Sequence, residues 1–312
     1  MTLQELIDAH AARAAHGVPD WMTGFWKRHS ISFANGMTDL HTHVCWLQSR
    51  NFTIDLRLPL ARDQVAAKSL QEYSAEELQV LANYEGWKAP SIWDGTQLSW
   101  GDTDVTLQLH NRWPEPALLR RTGNSMIEHC PSNIYMEDWR LQVSAPGSLV
   151  GLHLIVEREV ASGRVRHTGG GLIVCGDFAA LALGRTAPLH SDEPLKALVA
   201  SATGKLDQLE QLFNFEVSVA ARNTAGCYMV GLSTQPRRMN AELCPLTGFE
   251  VLPDGRVRQT LVLDGLACER IFEIDTIEAH LAYAQTTPVP AGAQAWYARE
   301  AATLERYLDV LT

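Results

Sequence analysis

The chain has 312 residues, of which 46% are hydrophobic and 20% charged, with a formal net charge of −10. That composition excludes disordered, collagen-like and helical-membrane classes, and the length suits two domains of ordinary size or one large one. Because this acidic chain has no run of Lys or Arg longer than a pair, it offers no electrostatic footprint for a phosphate backbone or an anionic lipid surface. Neither nucleic acid nor membrane insertion is expected.

Thr2 is a fitting N-cap for a helix over Leu3 to Ala15, with Gly17 and Pro19 as the stop. Leu3, Leu6 and Ile7 share one face, which suits the helix to covering an opening. Met1 to His16 carries Glu5, Asp8 and Arg13 and lacks the uninterrupted apolar core of a secretory signal or a spanning helix, so the reading places the protein in the cytoplasm. Beyond this helix, short β-branched and aromatic runs bounded by Gly, Asn, Asp or Pro predict strands at Trp26 to Phe33, Thr42 to Gln48 and Phe52 to Leu58. In the last of these, Phe52, Ile54, Leu56 and Leu58 alternate with Thr53, Asp55 and Arg57. Asp55 and Arg57 then point either to solvent or into a polar barrel lumen, and the pattern alone does not choose.

Ser74-Ala75-Glu76-Glu77 opens a helical turn within Ala66 to Ala82, read as an excursion across a barrel mouth. Strands resume at Ile92 to Trp100, Val105 to His110 and Ile134 to Val143, with the Pro-bearing stretch Trp113 to Pro116 before the last. Ala145-Pro146-Gly147-Ser148 is the best boundary signal. It divides the chain into 1–146, an N-terminal β-barrel domain with a leading helix, and 147–312, a C-terminal β-barrel domain with a terminal helix.

The second half opens with hairpins over Leu149 to Val160, Arg164 to Cys175 and Phe178 to Leu183. Glu193 to Leu212 carries the only long helical pattern of this half, interrupted at Gly204. Strands follow at Phe213 to Ala221, Gly226 to Ser233, Gly248 to Leu252, Val257 to Leu263 and Ala267 to Ile274, and Ala291 to Leu311 reads as a helix. Strands outnumber helices and do not alternate with them, which disfavours Rossmann and TIM-barrel folds.

Asp39-Leu40-His41-Thr42-His43 places two histidines at i and i+2, on one face of a strand, where they could share a metal ion. The motif resembles the opening signature of amidohydrolase and PHP-type metal-dependent hydrolases, and less closely the paired histidines of cupins. The hydrolase pattern requires a helix after the first strand, whereas Val44 to Pro59 reads as further strand. The cupin pattern requires a downstream glutamate where Trp46, Leu47 and Gln48 stand. His110, His129, His153, His167, His190 and His280 lie in no strand-then-helix context that would complete a metal site. His41 and His43 are therefore better read as hairpin histidines after the Asn35-Gly36 turn, with neither metal nor cofactor assigned. Cys45, Cys130, Cys175, Cys227, Cys244 and Cys268 form no CxxC pair and read as isolated thiols.

Gly24-Phe25-Trp26, preceded by a short helix and followed by Lys27 and Arg28, resembles the opening of lipocalins and their calycin relatives. Trp46-Leu47-Gln48, Asp55-Leu56-Arg57-Leu58-Pro59 and Tyr135-Met136-Glu137-Asp138-Trp139 extend the resemblance to paired-barrel, calycin-like proteins. It implies a mainly β protein of two consecutive antiparallel barrels with a few short helices, with Trp26 plugging the closed barrel end beneath a basic side chain. The implied function is binding or carrying a small apolar or amphipathic ligand, with a homodimer allowed and no catalytic set defined. Isomerisation or hydration within the barrel is a variant of that reading. Trp46, Arg57, Trp100, Glu137 and Trp139 are the candidate ligand-binding residues, because aromatic walls with one acid and one base suit an amphipathic molecule. The same tryptophans also suit a packed core, with Arg57 and Glu137 as an ion pair between neighbouring strands. The competing functions are a metal-dependent hydrolase using Asp39, His41 and His43, and an interaction scaffold.

Overall fold

A computed structural model describes residues 1–102, 105–109 and 115–308. Its first sheet comprises β1 (Gly24–Phe33), β2 (Thr38–Asp39), β3 (Thr42–Gln48), β4 (Phe52–Pro59), β5 (Glu85–Trp93), β6 (Gln97–Trp100), β7 (Ala117–Thr122), β8 (Ser125–His129) and β9 (Tyr135–Leu141). Neighbours in the order β2-β1-β3-β4-β5-β6-β7-β8-β9 pair antiparallel, and β1 also pairs with β9 from Trp26↔Leu141 to Phe33↔Tyr135. β1 and β3 to β9 therefore close an eight-stranded barrel, with β2 folded onto the far end of β1.

The predicted strand Ile92 to Trp100 is instead the end of β5, a turn and β6, because Asp94 accepts hydrogen bonds from the Thr96 and Gln97 amides and reverses the chain. Val105 to Leu109 contributes only an isolated bridge, Trp87↔Thr106, while His110 and Trp113 to Pro114 lie outside the described residues. The hairpin β7–β8 was not anticipated.

The second sheet comprises β10 (Gly147–Glu159), β11 (Val165–Thr168), β12 (Gly170–Cys175), β13 (Phe178–Leu183), β14 (Glu216–Arg222), β15 (Tyr228–Ser233), β16 (Phe249–Val251), β17 (Val257–Leu263) and β18 (Leu266–Leu281). Its order is β15-β14-β13-β12-β10-β18-β17-β16, with β11 paired to β10. Among the described residues nothing pairs β15 with β16, so this sheet stays open where a second closed barrel was expected. The glycine run after His167 separates β11 from β12: Gly170 has φ +131, and a Cβ there would collide with the Ala182 carbonyl.

Five α-helices complete the described fold: α1 (Leu3–Ala9), α2 (Ala75–Leu81), α3 (Leu195–Ala202), α4 (Leu206–Phe213) and α5 (Ala291–Leu304). Thr2 and Glu5 form a capping box at α1, which ends earlier than expected. α1 buries Leu3, Leu6 and Ile7 against the second sheet, while the amide of Phe249 donates to the Met1 carbonyl. Each of these side chains contributes roughly 1.5–3 kcal/mol on burial. α2, capped by Ser74, buries Leu78 and Leu81 beside α3 and α4 in the core shared with the second sheet. Gly204, with φ +81, separates α3 from α4. No helix among the described residues is long and apolar enough to cross a membrane.

The outer barrel face carries Phe25, Cys45, Leu47, Phe52, Ile54, Leu56 and Leu58, which share one core with Leu149, Ile173, Ala180, Ala182, Val217 and Val219 of the second sheet. With this face turned to the second sheet, the alternate residues Thr53, Asp55 and Arg57 face the lumen. Both faces of β4 are therefore buried, and the polar face looks inward.

Candidate functional site in the barrel lumen

Trp46 of β3, Thr53, Asp55 and Arg57 of β4, Trp87 of β5, Trp100 of β6, Glu128 of β8, and Tyr135, Glu137 and Trp139 of β9 line one cavity. All five ligand-binding residues chosen from the sequence converge there. Asp55, Glu128, Trp87, Thr53 and Tyr135 were not among them, although the alternation over Phe52 to Leu58 puts Thr53 and Asp55 on the same face as Arg57. Trp46 meets Trp139 and Trp100 edge-to-face at 5.3 and 6.0 Å between ring centroids, and Trp87 meets Trp100 at 6.0 Å. Trp46 and Trp139 are buried, whereas Trp87 and Trp100 are partly exposed. The remaining cavity is about 10 Å³, the room of a single water molecule.

The charges are arranged in short pairs. Arg57 Nε donates to Asp55 Oδ1 at 2.9 Å, two residues back on the same face of β4. Arg28 of β1 donates to Glu137 at 2.7 Å and to Asp39 at 2.6 Å. β4 is not adjacent to β9. The neighbouring-strand pair foreseen for Arg57 and Glu137 is therefore Arg28 with Glu137, across β1 and β9. Trp139 Nε1 donates to Glu128 at 3.0 Å, and Trp46 Nε1 to Gln48 at 2.9 Å. Glu85 lies opposite Arg57 in the β4–β5 register and is buried. Among the described residues, the Asp55, Glu128 and Glu137 carboxylates thus meet the Arg57 and Arg28 guanidiniums inside the barrel.

This acidic surplus shifts the ionisation of the lumen. Burial, reinforced by Glu85 and Glu137 and opposed by Arg57, raises the Asp55 carboxyl to about 6. Burial and the neighbouring Glu137 hold Glu128 well above the usual carboxylate range, against Arg57 and the Trp139 hydrogen bond. Burial pushes the Tyr135 phenol upward as well.

The folded state therefore holds the Asp55 proton more tightly than the unfolded state, and this contribution to stability is full below the ordinary carboxylate pKa and lost as pH rises toward 6. Asp20 and Glu278, where Arg50 outweighs burial, are lowered and act with the opposite sign. Comparing wild type with Asp55→Asn isolates the group. The variant is expected to gain stability relative to wild type, on the order of 2 kcal/mol, between about pH 4 and pH 6. Urea unfolding across that range measures it, and a difference that does not vary with pH would contradict the assignment.

Beside the lumen cluster, Trp26 is fully buried and its Nε1 donates to the Met22 carbonyl at 3.0 Å, while the Arg121 guanidinium lies 5.2 Å from its ring centroid. The basic partner comes from β7, far from Trp26 in sequence, where no local motif marks it.

Asp39 accepts from Arg28 and, through its other oxygen, from the His41 amide at 2.8 Å; His41 is exposed and His43 half-buried. Among the described residues no group of three His, Cys, Asp or Glu side chains is placed to hold a metal ion. The six cysteines are free thiols, and burial raises Cys45 to about 12.

The fold and site define a mainly β protein with one closed, antiparallel, eight-stranded barrel whose lumen is polar and tryptophan-lined. No protein-family model matches the chain, and no curated protein matches it in sequence. Among solved structures, it is similar to the crystal structure of the uncharacterized protein YLR301w from Saccharomyces cerevisiae, with 11% sequence identity and a TM-score of 0.44 over 82% of this chain and 98% of that one.

Proposed function

We propose that this protein is a calycin-like binder of a small, partly apolar molecule, and that the ligand's head is cationic and enters the first barrel. The observation that carries this reading is the convergence, among the described residues, of Asp55, Glu128 and Glu137 on Arg57 and Arg28 within walls of Trp46, Trp87, Trp100 and Trp139. Surplus carboxylates favour positive charge, and indole faces attract an organic cation in a desolvated site. Trp26 beneath Arg121, near the start of the first barrel strand, supports the calycin-like part of the reading. Because the closed cavity admits about one water molecule, binding requires the partly exposed Trp87 and Trp100 to swing outward.

That small volume also favours a second reading, in which the lumen is a filled core and the barrel serves as an interaction scaffold. Calorimetric titration of the full chain with tetramethylammonium, and separately with tert-butanol as its neutral counterpart, distinguishes the two. The binder reading expects saturable binding of the cation, at least about tenfold tighter than any binding of the alcohol. Equal affinities, or no heat from either, would favour the filled barrel.

A further inference from the structure

The open second sheet has a polar end that the barrel-lumen reading does not use. His167 of β11, Glu157 of β10, Arg270 of β18, Gln259 of β17 and Phe249 of β16 are successive cross-strand partners, so they form one rung across the sheet and face the same side. His167, Glu157 and Arg270 of the rung border a cavity of about 380 Å³ that is also lined by Arg166, Glu216, Arg237 and Arg238. An adjoining cavity of about 240 Å³ shares Arg166, His167, Glu216 and Arg237 with it.

The carboxylates of this mouth are largely engaged. Glu157 accepts from Arg270 Nε at 2.7 Å, Glu216 from Arg238 Nε at 2.8 Å, and Asp264 from Arg166 Nη2 at 2.7 Å. Several donors are left over. Arg270 is only 3% exposed, yet its Nη1 has no hydrogen-bond partner among the described residues. Arg166 Nε, buried as well, lies 3.4 Å from Glu157 without a hydrogen bond, and Arg237 is exposed on the rim. The neighbouring Gln259 Oε1 is a buried acceptor without a hydrogen-bond partner among the described residues. Unmet buried donors and acceptors cost free energy until a ligand or water satisfies them.

We propose that this mouth binds a small oxyanion carrying a hydroxyl group, of which hydrogen phosphate is the simplest example. Its oxygens accept from Arg270 Nη1, Arg166 Nε and Arg237, while its O–H donates to Oε1 of Gln259, the cross-strand neighbour of Arg270. Arginine suits the role because one edge of its planar fork can hold a carboxylate of the protein while another meets an oxyanion. Since arginines and carboxylates balance in number around the cavity, binding rests on these directed hydrogen bonds more than on a positive field.

The test is titration of the full chain with inorganic phosphate, and separately with lactate, against a chloride background of equal ionic strength. Saturable binding of either anion is expected, and the stronger of the two identifies phosphate or carboxylate as the preferred head. Arg270→Lys keeps a charge beside Glu157 but removes the fork, and Arg237→Ala removes the rim donor; each is expected to weaken binding about tenfold or more. Arg256→Ala, at the tip of the β16–β17 hairpin where Arg256 pairs with Asp254 and lines neither cavity, should leave affinity unchanged. If Arg270→Lys fails to fold, the exposed Arg237→Ala variant decides. Absence of saturable binding of both anions, or undiminished affinity in Arg237→Ala, would overturn the proposal and assign the unmet groups to ordered water.

Discussion

Replacing Arg50 by Met is expected to cost about 3–5 kcal/mol of stability, the loss typical of removing one partner from a buried ion pair. Arg50 lies in the β3–β4 hairpin and is 2% exposed. It donates to both oxygens of Glu278 on β18 at 2.6 and 2.8 Å, meets Asp20 at 2.8 Å and reaches the Val18 carbonyl at 3.1 Å. Flanking it, Ser49 donates to Asp275 at 2.7 Å and Asn51 to the same carboxylate at 2.8 Å. The hairpin thus fastens the barrel to the second sheet, and Met would leave Glu278 without its bidentate partner. Urea unfolding followed by far-UV circular dichroism measures the loss; a change below about 1 kcal/mol would show that solvent compensates the carboxylates.

Trp46→Ala is expected to destabilise by a similar amount, about 3–5 kcal/mol, through lost burial and the cavity left behind. Trp46 is buried, and its ring is fixed by edge contacts to Trp139 and Trp100 and by the hydrogen bond to Gln48. Gln48 still accepts from Thr53 at 2.6 Å after the truncation, so the loss reports packing more than an orphaned polar group. Equilibrium unfolding of wild type and variant gives the difference. A loss under about 1.5 kcal/mol would mean that Trp139 and Trp100 collapse into the space, a flexibility the ligand-binding reading also requires.

The alternation over Phe52 to Leu58 made a barrel strand legible from its residues, but not the direction of its polar face. That choice depends on the second sheet: once Phe52, Ile54, Leu56 and Leu58 pack against Val217, Val219 and Ile173, Asp55 and Arg57 have only the lumen to face. Trp46, Trp100, Trp139 and Glu137 of the site could be chosen because large aromatics and lone charges on strands are conspicuous, whereas Trp87 lies ahead of the strand predicted at Ile92 to Trp100. Arg28 and Glu128 were not chosen. Arg28 looked like part of a basic pair beside Trp26, and Glu128 sits in the hairpin Ala117 to His129, whose Leu118-Leu119-Arg120-Arg121 run lacks a clear period of two.

Closure was also beyond local pattern. The first sheet closes because β1 meets β9 more than a hundred residues later, and the second remains open although its hairpins look equally regular. The turn chemistry was more readable: Gly204 divides the helical run of the second half, and Ser74 caps α2 as its sequence suggests.

A small organic ligand held in the first barrel is tested most directly by the native mass of the purified full chain compared with its denatured mass. A non-covalent organic adduct is expected, released on denaturation and diminished in Trp46→Ala or Trp100→Ala. A native mass equal to the denatured mass, in a protein that also ignores tetramethylammonium, would contradict it and leave the lumen as a filled core; an adduct with the mass of a metal ion would redirect attention to Asp39, His41 and His43.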